Sequence, residues 1–182
     1  MSTAAAAANL PLALYVHLPW CARKCPYCDF NSHAVRAPIP QEAYVDALIR
    51  DLDFELQQGE SRALSSIFFG GGTPSLFSAA SIGRILDAAA KRLEFSDDIE
   101  ITLEANPGTA DAAHFSGYRT AGVNRMSIGV QSFSDASLKA IGRIHDGVEA
   151  RRAIELARAA GFDNFNLDLM FALPQQSIDA AL

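Results

Sequence analysis

The sequence predicts an α/β fold in which parallel strands alternate with helices, forming a partial (βα) barrel of about five units. Short apolar segments rich in β-branched and aromatic residues recur along the chain, which is typical of buried strands. Segments with apolar residues at helical spacing lie between them. Glycine, proline or a capping residue marks most changes from one kind of segment to the other, so the alternation has clear boundaries.

The predicted elements follow in chain order. A buried strand at Leu12–Leu18 precedes the cysteine-containing segment, and a helix over residues 41–58 ends at Gly59. Strands at 65–69 and 100–105 are each followed by a helix, at 81–93 and 110–121. The last two strands are predicted at Arg125–Gln131 and 164–173. Two helices join them, one at 134–141 capped by Ser134 and one at 148–160, and a further helix begins at Ser177.

Length and composition set the domain organisation. Residues 1–11 are predicted to be a disordered alanine-rich leader, and residues 12–182 an incomplete barrel domain, because five units fall short of a complete barrel. The net charge of −6, from 15 basic and 21 acidic residues, argues against nucleic-acid or anionic-membrane partners. No apolar segment is long enough for a transmembrane helix, and no secretory signal is recognisable. A cytoplasmic location is therefore expected.

Three cysteines lie within eight residues, as Cys21, Cys25 and Cys28 in a CxxxCxxC pattern. An odd number of cysteines packed so closely is a poor disulfide framework. Three thiolates at this spacing can hold a [4Fe–4S] cluster, and because such clusters usually take four cysteines, one iron keeps an open coordination site. The amino and carboxylate groups of S-adenosylmethionine (SAM) can chelate that iron, and an electron from the cluster can then break a C–S bond of the sulfonium. The alternative is a structural zinc site with His17 or His33 as the fourth ligand.

A series of motifs extends from the cysteine segment to the end of the chain. YVHLPWCARKCPYCDFNSH is followed by GGGTP, EANP, GVNRMSIGVQSF, GRIH and NLDLMFALP. Together and in this order they resemble the oxygen-independent coproporphyrinogen oxidase family of radical-SAM proteins, most closely its heme chaperone branch. The resemblance covers the chain from about Leu12 onwards and implies a barrel of the radical-SAM type, with the C-terminal part of the family absent.

The same resemblance implies roles for individual residues. Cys21, Cys25 and Cys28 match the cluster ligands, and the positions that match SAM contacts are Tyr15, Gly71, Gly72, Thr73, Glu104, Gln131, Arg143 and Asp168. The residue types suit this ligand: glycines allow close backbone approach, an arginine can bind the methionyl carboxylate through two hydrogen bonds, and carboxylates or amides can bind ribose hydroxyls or the ammonium.

Several of these residues also have a simpler interpretation. Tyr15 can be a core residue of its strand, the glycines a tight turn, and Arg143 a solvated helix end. His145 is predicted to be a surface residue beside a helix start. The aromatic residues Trp20, Tyr27 and Phe30 surround the cysteines in the sequence, where they could shield a cluster from water or only pack locally.

Phe30 stands where the oxidase branch carries an additional cysteine, which favours the heme chaperone branch. The primary hypothesis is therefore a heme-binding protein that transfers heme to a recipient protein. The second is an oxidase that converts coproporphyrinogen III to protoporphyrinogen IX, and the third is a zinc-stabilised binding module without radical chemistry. The implied partners are heme or a porphyrinogen, a heme-recipient protein and a reductant such as a flavodoxin-like protein. The sequence does not decide whether the protein is an enzyme.

Overall fold

A computed structural model of the chain describes residues 10–59 and 62–181. The predicted leader therefore lies almost wholly outside the described residues. In chain order, the strands are β1 (Leu12–Leu18), β2 (Trp20–Cys21), β3 (His33–Ala34), β4 (Leu64–Gly71), β5 (Phe95–Ala105), β6 (Arg125–Gln131) and β7 (Asn164–Leu169). Strands β1, β4, β5, β6 and β7 form one parallel sheet in that order, while β2 and β3 form a separate parallel pair. The prediction of an α/β fold with five parallel strands is confirmed.

The helices follow the strands of the large sheet: α1 (Gln41–Glu55), α2 (Ala79–Ala90), α3 (Ala112–Ala121), α4 (Asp135–Ala140), α5 (Gly147–Ala159) and α6 (Ile178–Ala181). Helix α1 packs on α2, α2 on α3, and α3 on α5. Side chains of Ser78, Asp111, Ser134 and Asp146 each accept a hydrogen bond from a backbone N–H in the first turn of the helix that follows. The predicted capping role of Ser134 is therefore confirmed. Among the described residues, no helix combines the length and the apolar character needed to cross a bilayer.

The large sheet has an apolar face and a polar face, because successive strand residues point to opposite sides. Val16, Phe69, Leu103 and Ile128 are buried in the hydrophobic core, to which the helices contribute residues such as Phe115. The intervening positions turn to the inner face of the sheet and are mostly polar, among them His17, Thr102, Glu104, Ser127 and Asp168. Several of these residues line a cleft at the carboxyl ends of the strands, which is where barrels of parallel strands carry their sites.

The structure differs from several predicted element boundaries, most clearly in two strands. Strand β7 ends at Leu169 and not at residue 173: the Met170 N–H donates a hydrogen bond to the Gln131 carbonyl, and Ala172 has a φ of 56°, which is incompatible with a strand. Strand β5 begins at Phe95, five residues before the predicted start. Its pairing with β4 shifts register in this region, so the extension has no regular periodicity to reveal it.

Helix α1 ends at Glu55 and continues as a short 3₁₀ turn, so the predicted helix over residues 41–58 combines two elements. The pair β2 and β3 was not predicted at all, because two-residue strands are too short to show an alternating pattern. This pair nevertheless decides the shape of the cysteine segment.

Candidate functional site

A cleft of about 640 Å³ opens at the carboxyl ends of the parallel strands, on the inner face of the sheet. The residues that line it come from β2, from every strand of the large sheet except β1, and from the loops that follow β2, β4, β5, β7 and α4. All three cysteines line this cleft. So do most of the predicted SAM contacts: Gly71, Gly72, Thr73, Glu104, Gln131, Arg143 and Asp168. The structure therefore brings together residues that are up to 147 positions apart in the chain.

The cysteine loop is held at both ends by backbone hydrogen bonds. Cys21 is the last residue of β2, and its carbonyl accepts a hydrogen bond from the Val35 N–H at 2.8 Å. Within the loop, the Cys28 N–H donates to the Cys25 carbonyl at 3.1 Å and forms a tight turn. Cys21 is buried, whereas Cys25 and Cys28 are half-buried. All three thiols are free and border the same cavity.

The return segment of this loop is held by two side chains. The ammonium of Lys24 donates to the carbonyls of Phe30 and Ser32, at 3.0 and 3.1 Å. His17 Nε2 lies 2.8 Å from the Asn31 carbonyl, which can only accept, so Nε2 carries the proton. Three consecutive carbonyl groups are thus bonded by side chains, which restricts the path of the loop after Cys28.

In a neutral imidazole with the proton on Nε2, Nδ1 is an acceptor, and in His17 this atom lies 3.0 Å from the Tyr15 hydroxyl. Tyr15 is on the inner face of β1 and is 56% exposed, which excludes the simple core role. It lies beside the cleft without lining it: its ring stacks on Phe68, which does line the cleft. Burial raises the pKa of the Tyr15 hydroxyl, and the charge of Glu104 adds to this effect.

The glycine segment after β4 runs directly against the start of the cysteine loop. The Gly72 N–H donates to the Leu18 carbonyl at 2.9 Å, and the Thr73 N–H donates to the Trp20 carbonyl at 2.7 Å. A Cβ atom at Gly72 would stand 2.5 Å from the Trp20 carbonyl oxygen, and Gly71 has a φ of +118°. Glycine is therefore required at two successive positions, for space and for conformation. Gly70 also allows a close approach, because a Cβ atom there would lie 2.9 Å from the Tyr15 ring.

Arg143 lies in the loop between α4 and α5, and it is half-buried in the cleft. One terminal nitrogen, Nη2, donates to the Gly129 carbonyl at 2.6 Å. The other, Nη1, lies 3.6 Å from Cys25 Sγ and 3.4 Å from the Tyr27 hydroxyl. Its Nε is buried and has no hydrogen-bond partner in the described part of the chain. These contacts exclude the solvated helix end, and they place the Nη1 donor beside two residues that line the cleft, Cys25 and Tyr27.

Two carboxylates face the cleft from neighbouring regions of the sheet, Glu104 on β5 and Asp168 on β7. Burial raises the pKa of Glu104, and the charge of Asp168 adds to it. A hydrogen bond from the Gly71 N–H at 3.3 Å acts in the opposite direction. Asp168 accepts a hydrogen bond from Asn166 Nδ2 at 2.7 Å and another from the Ser127 hydroxyl at 3.1 Å. The site therefore provides acceptors for the hydroxyl or ammonium groups of a ligand.

Gln131 ends β6 in a left-handed conformation, with a φ of 66°. Such a conformation is uncommon for a residue with a side chain, and strain of this kind concentrates at functional sites. The conformation is held from outside, because the Gln131 carbonyl accepts the Met170 N–H at 2.9 Å. Gln131 lies in the site as predicted, but its left-handed backbone conformation could not be read from the sequence.

The three aromatic residues near the cysteines differ in their surroundings. Tyr27 and Phe30 line the cleft, and Phe30 is 61% exposed. Trp20 instead packs on the core side: its ring contacts Tyr44 edge-to-face at 4.6 Å and Phe77 at 5.7 Å. Tyr27 and Phe30 can therefore shield a bound group, whereas local packing explains Trp20.

The prediction for His145 is wrong. His145 is only 4% exposed, because the loop between α4 and α5 folds back over the end of β6. Its Nε2 lies 3.0 Å from the Val130 carbonyl, and Nδ1 lies 3.3 Å from Asn106 Oδ1. Burial lowers the pKa of His145. The residue connects the loop that holds Arg143 to two strand ends, a contact that no local sequence pattern reveals.

The donor set suits a three-cysteine cluster with SAM at its open iron. In such a cluster three irons would each take one thiolate, so the thiols would border a cavity instead of meeting at one point. Within the described ranges, no three Cys, His, Asp or Glu side chains converge as ligands of a single metal ion. The guanidinium of Arg143 and the close backbone at Gly72 border the same cavity as the thiols. Together they provide what an amino-acid carboxylate and ammonium need beside the cluster.

Sequence reasoning missed Arg125, Ser127 and Asn166, which also line the cleft. The available signal was the alternation along the strands: Arg125 and Ser127 share one face of β6, as Asn166 and Asp168 share one face of β7. Parallel register places Ser127 directly opposite Asn166.

Comparisons with known proteins agree with this geometry. Residues 15–181 match the sequence profile of the radical SAM superfamily. The chain is 53% identical over 176 residues to the protein named heme chaperone HemW of Haemophilus influenzae, and 54% identical over 172 residues to that of Escherichia coli. Each alignment covers 94% of this chain and 46% of the relative. The chain thus spans less than half the length of these relatives.

A solved structure shows the same likeness at the level of the fold. The coproporphyrinogen III oxidase HemN of Escherichia coli, described as a radical SAM enzyme, superimposes with a TM-score of 0.84 at 31% identity. That superposition covers 93% of this chain and 39% of the oxidase.

Proposed function

Because the chain belongs to the radical SAM superfamily, and within it to the HemW branch of the coproporphyrinogen oxidase-like proteins, we propose that it acts as a heme chaperone. Its cofactors are those of the superfamily, a [4Fe–4S] cluster and SAM. In this role the protein binds heme and transfers it to a recipient protein. The observation that carries the proposal is one cleft that joins three free thiols, the glycine segment and Arg143, in a chain 53–54% identical to proteins named heme chaperone HemW.

Each part of the cofactor pair has its own residues in this proposal. Cys21, Cys25 and Cys28 hold the cluster. The SAM contacts are proposed to be Tyr15, Gly71, Gly72, Thr73, Glu104, Gln131, Arg143 and Asp168. Support comes from the shared cleft, which contains all of these except Tyr15, and from the position of Tyr15 against Phe68 at its edge.

When bound, the cluster and SAM supply a reducible iron centre and a sulfonium whose C–S bond one electron can cleave. The chain's own residues bind and orient. Arg143 is fixed by the Gly129 carbonyl, and its Nη1, next to Cys25, is the donor proposed to bind a carboxylate. Backbone carbonyls of residues 71–73 can accept from an ammonium, because glycine lets the ligand approach closely. Tyr27 and Phe30 restrict the access of water.

Glu104 and Asp168 serve as acceptors for ribose hydroxyls in this arrangement. The raised pKa of Glu104 reflects its burial and the nearby charge of Asp168. Donors brought by a bound ligand would favour the ionised carboxylate, so ligand binding and deprotonation of Glu104 are expected to support each other.

The second candidate is coproporphyrinogen III oxidation, favoured by the TM-score of 0.84 with HemN. Phe30 occupies the place of the oxidase branch's additional cysteine and is 61% exposed at the cleft. A thiol is therefore missing where that branch has one. This difference, together with the higher identity to the heme chaperones, makes heme transfer the preferred function.

Heme, a heme-recipient protein and an electron donor are the proposed partners, and the proposed location is the cytoplasm. An electron donor is included because cleavage of a SAM C–S bond would need one electron, which the chain's own residues do not supply. A flavodoxin-like protein is one suitable chemical class.

The first test is spectroscopic. The chain is reconstituted with iron and sulfide without oxygen, reduced, and its EPR spectrum is recorded with and without SAM. A [4Fe–4S] signal that shifts on adding SAM supports an open iron, and Cys25→Ser is expected to lose that shift. A well-folded protein that binds zinc and forms no cluster would contradict the proposal.

The second test separates the two functions. Heme-loaded protein is mixed with an apo-hemoprotein, and heme transfer is followed by absorbance. In parallel, coproporphyrinogen III is incubated with the reduced protein and SAM, and products are separated by chromatography. Transfer without protoporphyrinogen formation supports the chaperone, whereas turnover of the porphyrinogen supports the oxidase.

A further inference from the structure

A continuous line of polar side chains lies under the cleft on the inner face of β6 and β7. Arg125 Nη2 donates to Asn166 Oδ1 at 2.5 Å, and Asn166 Nδ2 donates to Asp168 Oδ1 at 2.7 Å. Asn166 Nδ2 also lies 3.2 Å from the Ser127 hydroxyl, which in turn donates to Asp168 Oδ2 at 3.1 Å. Both oxygens of the Asp168 carboxylate are therefore bonded by neutral donors.

The orientation of the Asn166 amide follows from the chemistry of its neighbours. A guanidinium has only donors, so the amide atom that faces Arg125 must be the oxygen. A carboxylate has only acceptors, so the atom that faces Asp168 must be the NH₂ group. Reversing the amide would place two donors together at Arg125 and two acceptors together at Asp168.

Arg125 is itself held in place. Its Nη1 donates to the Thr102 hydroxyl at 3.2 Å, and its Nε lies 3.7 Å from Glu100. Thr102 is opposite Arg125 in the parallel register of β5 and β6. The guanidinium thus forms a fixed base from which the amide of Asn166 extends toward the cleft.

We infer that Asn166 is a positioning residue for SAM: anchored by Arg125, it holds the Asp168 carboxylate in one orientation and leaves its remaining lone pairs for the ligand. This inference rests on the proposed contact of Asp168 with SAM. The ligand groups that such a carboxylate can bind are the ribose hydroxyls or the ammonium. Without Asn166, Asp168 keeps only the Ser127 hydroxyl and can turn away from the bound ligand.

The alternative is that Asn166 only stabilises the pairing of β6 with β7. A double-mutant cycle separates the two roles, because residues that act through one another are not additive. The matched control is Asn164→Leu, the same substitution two residues earlier on the same strand. Asn164 is exposed, and it lies outside the hydrogen bonds that connect Arg125 to Asp168.

The experiment measures SAM affinity by titrating the EPR shift of the reduced, cluster-loaded protein. We expect Asn166→Leu to weaken SAM binding about tenfold, as for the loss of one hydrogen bond to a charged group. Asp168→Asn is expected to weaken it at least as much, Asn164→Leu by less than twofold, and the Asn166→Leu/Asp168→Asn double variant no more than Asp168→Asn alone. Cluster content, from iron and sulfide analysis, is expected to remain that of the wild type.

The outcomes distinguish the positioning role of Asn166 from the proposed contact of Asp168 with SAM. If Asp168→Asn weakens binding and Asn166→Leu does not, the positioning role is wrong while the SAM site stands. Additive losses in the double variant overturn it as well. If Asp168→Asn binds SAM like the wild type, the proposed contact itself is wrong. Should Asn166→Leu fail to fold, Asn166→Asp removes the NH₂ donor with little change of shape. Wild-type SAM affinity in that variant would equally overturn the inference.

Discussion

The substitution Gly72→Ala tests whether the glycine segment determines the shape of the cysteine loop. An added Cβ atom would lie 2.5 Å from the Trp20 carbonyl oxygen, 2.7 Å from its carbonyl carbon and 2.8 Å from the Pro19 carbonyl carbon. All three are backbone atoms, so no flexible side chain can move to make room. The two segments must separate by roughly half an ångström before the contact becomes tolerable.

That separation acts on two hydrogen bonds, from the Gly72 N–H to Leu18 and from the Thr73 N–H to Trp20. With a net contribution of about 0.5–1.5 kcal/mol each, their loss is expected to cost about 1–3 kcal/mol of unfolding free energy. For a chain of this size, that corresponds to a decrease of the melting temperature by roughly 2–12 °C. Because Trp20 directly precedes Cys21, the cluster content after reconstitution is also expected to fall.

The assay is thermal unfolding of the cofactor-free chain, followed by iron and sulfide analysis after anaerobic reconstitution. Gly83→Ala is the matched control. Gly83 lies inside α2, and the nearest atom to an added Cβ is 3.7 Å away. This variant is expected to stabilise the chain by up to about 1 kcal/mol, because alanine favours a helix. If Gly72→Ala melts and binds iron like the wild type, the argument from close backbone contact is refuted.

Three further substitutions test the electrostatics of the site. Glu104→Gln is expected to stabilise the cofactor-free chain above pH 4.5, because burial raises the pKa of Glu104 in the folded state and its ionisation then opposes folding. The difference in unfolding free energy between the variant and the wild type should grow as the pH rises from 4.5 through the raised pKa of Glu104. Urea unfolding between pH 4 and 8 measures this difference. A difference that does not depend on pH would contradict the reasoning. Lys24→Met removes two hydrogen bonds to loop carbonyls and is expected to reduce cluster content. Lys91 is an exposed lysine after α2, so the control Lys91→Met should not reduce it. Equal iron content in both variants would exclude the role of Lys24. Arg143→Met is expected to weaken SAM binding about tenfold to a hundredfold with the cluster retained, as judged by the EPR titration, and wild-type affinity would rule out its contact with the methionyl carboxylate.

Much of the site was predictable because its residues carry local signals. The spacing of Cys21, Cys25 and Cys28 is itself typical of cluster ligands. The glycines before Thr73 indicate a backbone segment that another group can approach closely. The position of Glu104 near a strand end followed from the alternation of strands and helices, whereas Asp168 was expected inside its strand and lies near the end because β7 stops at Leu169. Parallel strands place their carboxyl ends at one edge of the sheet. The order of strands and helices along the chain therefore also predicts that the residues at these strand ends lie close together.

Other contacts lacked any local signal. His145 is buried because the loop after α4 folds back over β6, and that fold depends on packing between segments distant in sequence. Trp20 is adjacent to Cys21 in sequence but turns to the core, since successive residues of an extended segment face opposite sides.

The sequence by itself determined the α/β class, the five parallel strands and the cysteine, glycine and carboxylate positions, because periodicity, breakers and short motifs are properties of neighbouring residues. Only the tertiary structure decided that Arg143 lies beside Cys25, 118 positions away, and that Arg125 and Asn166 support Asp168. The register between strands and the path of a loop result from the packing of the whole core. Contacts between side chains on different elements therefore become defined only when the chain has folded.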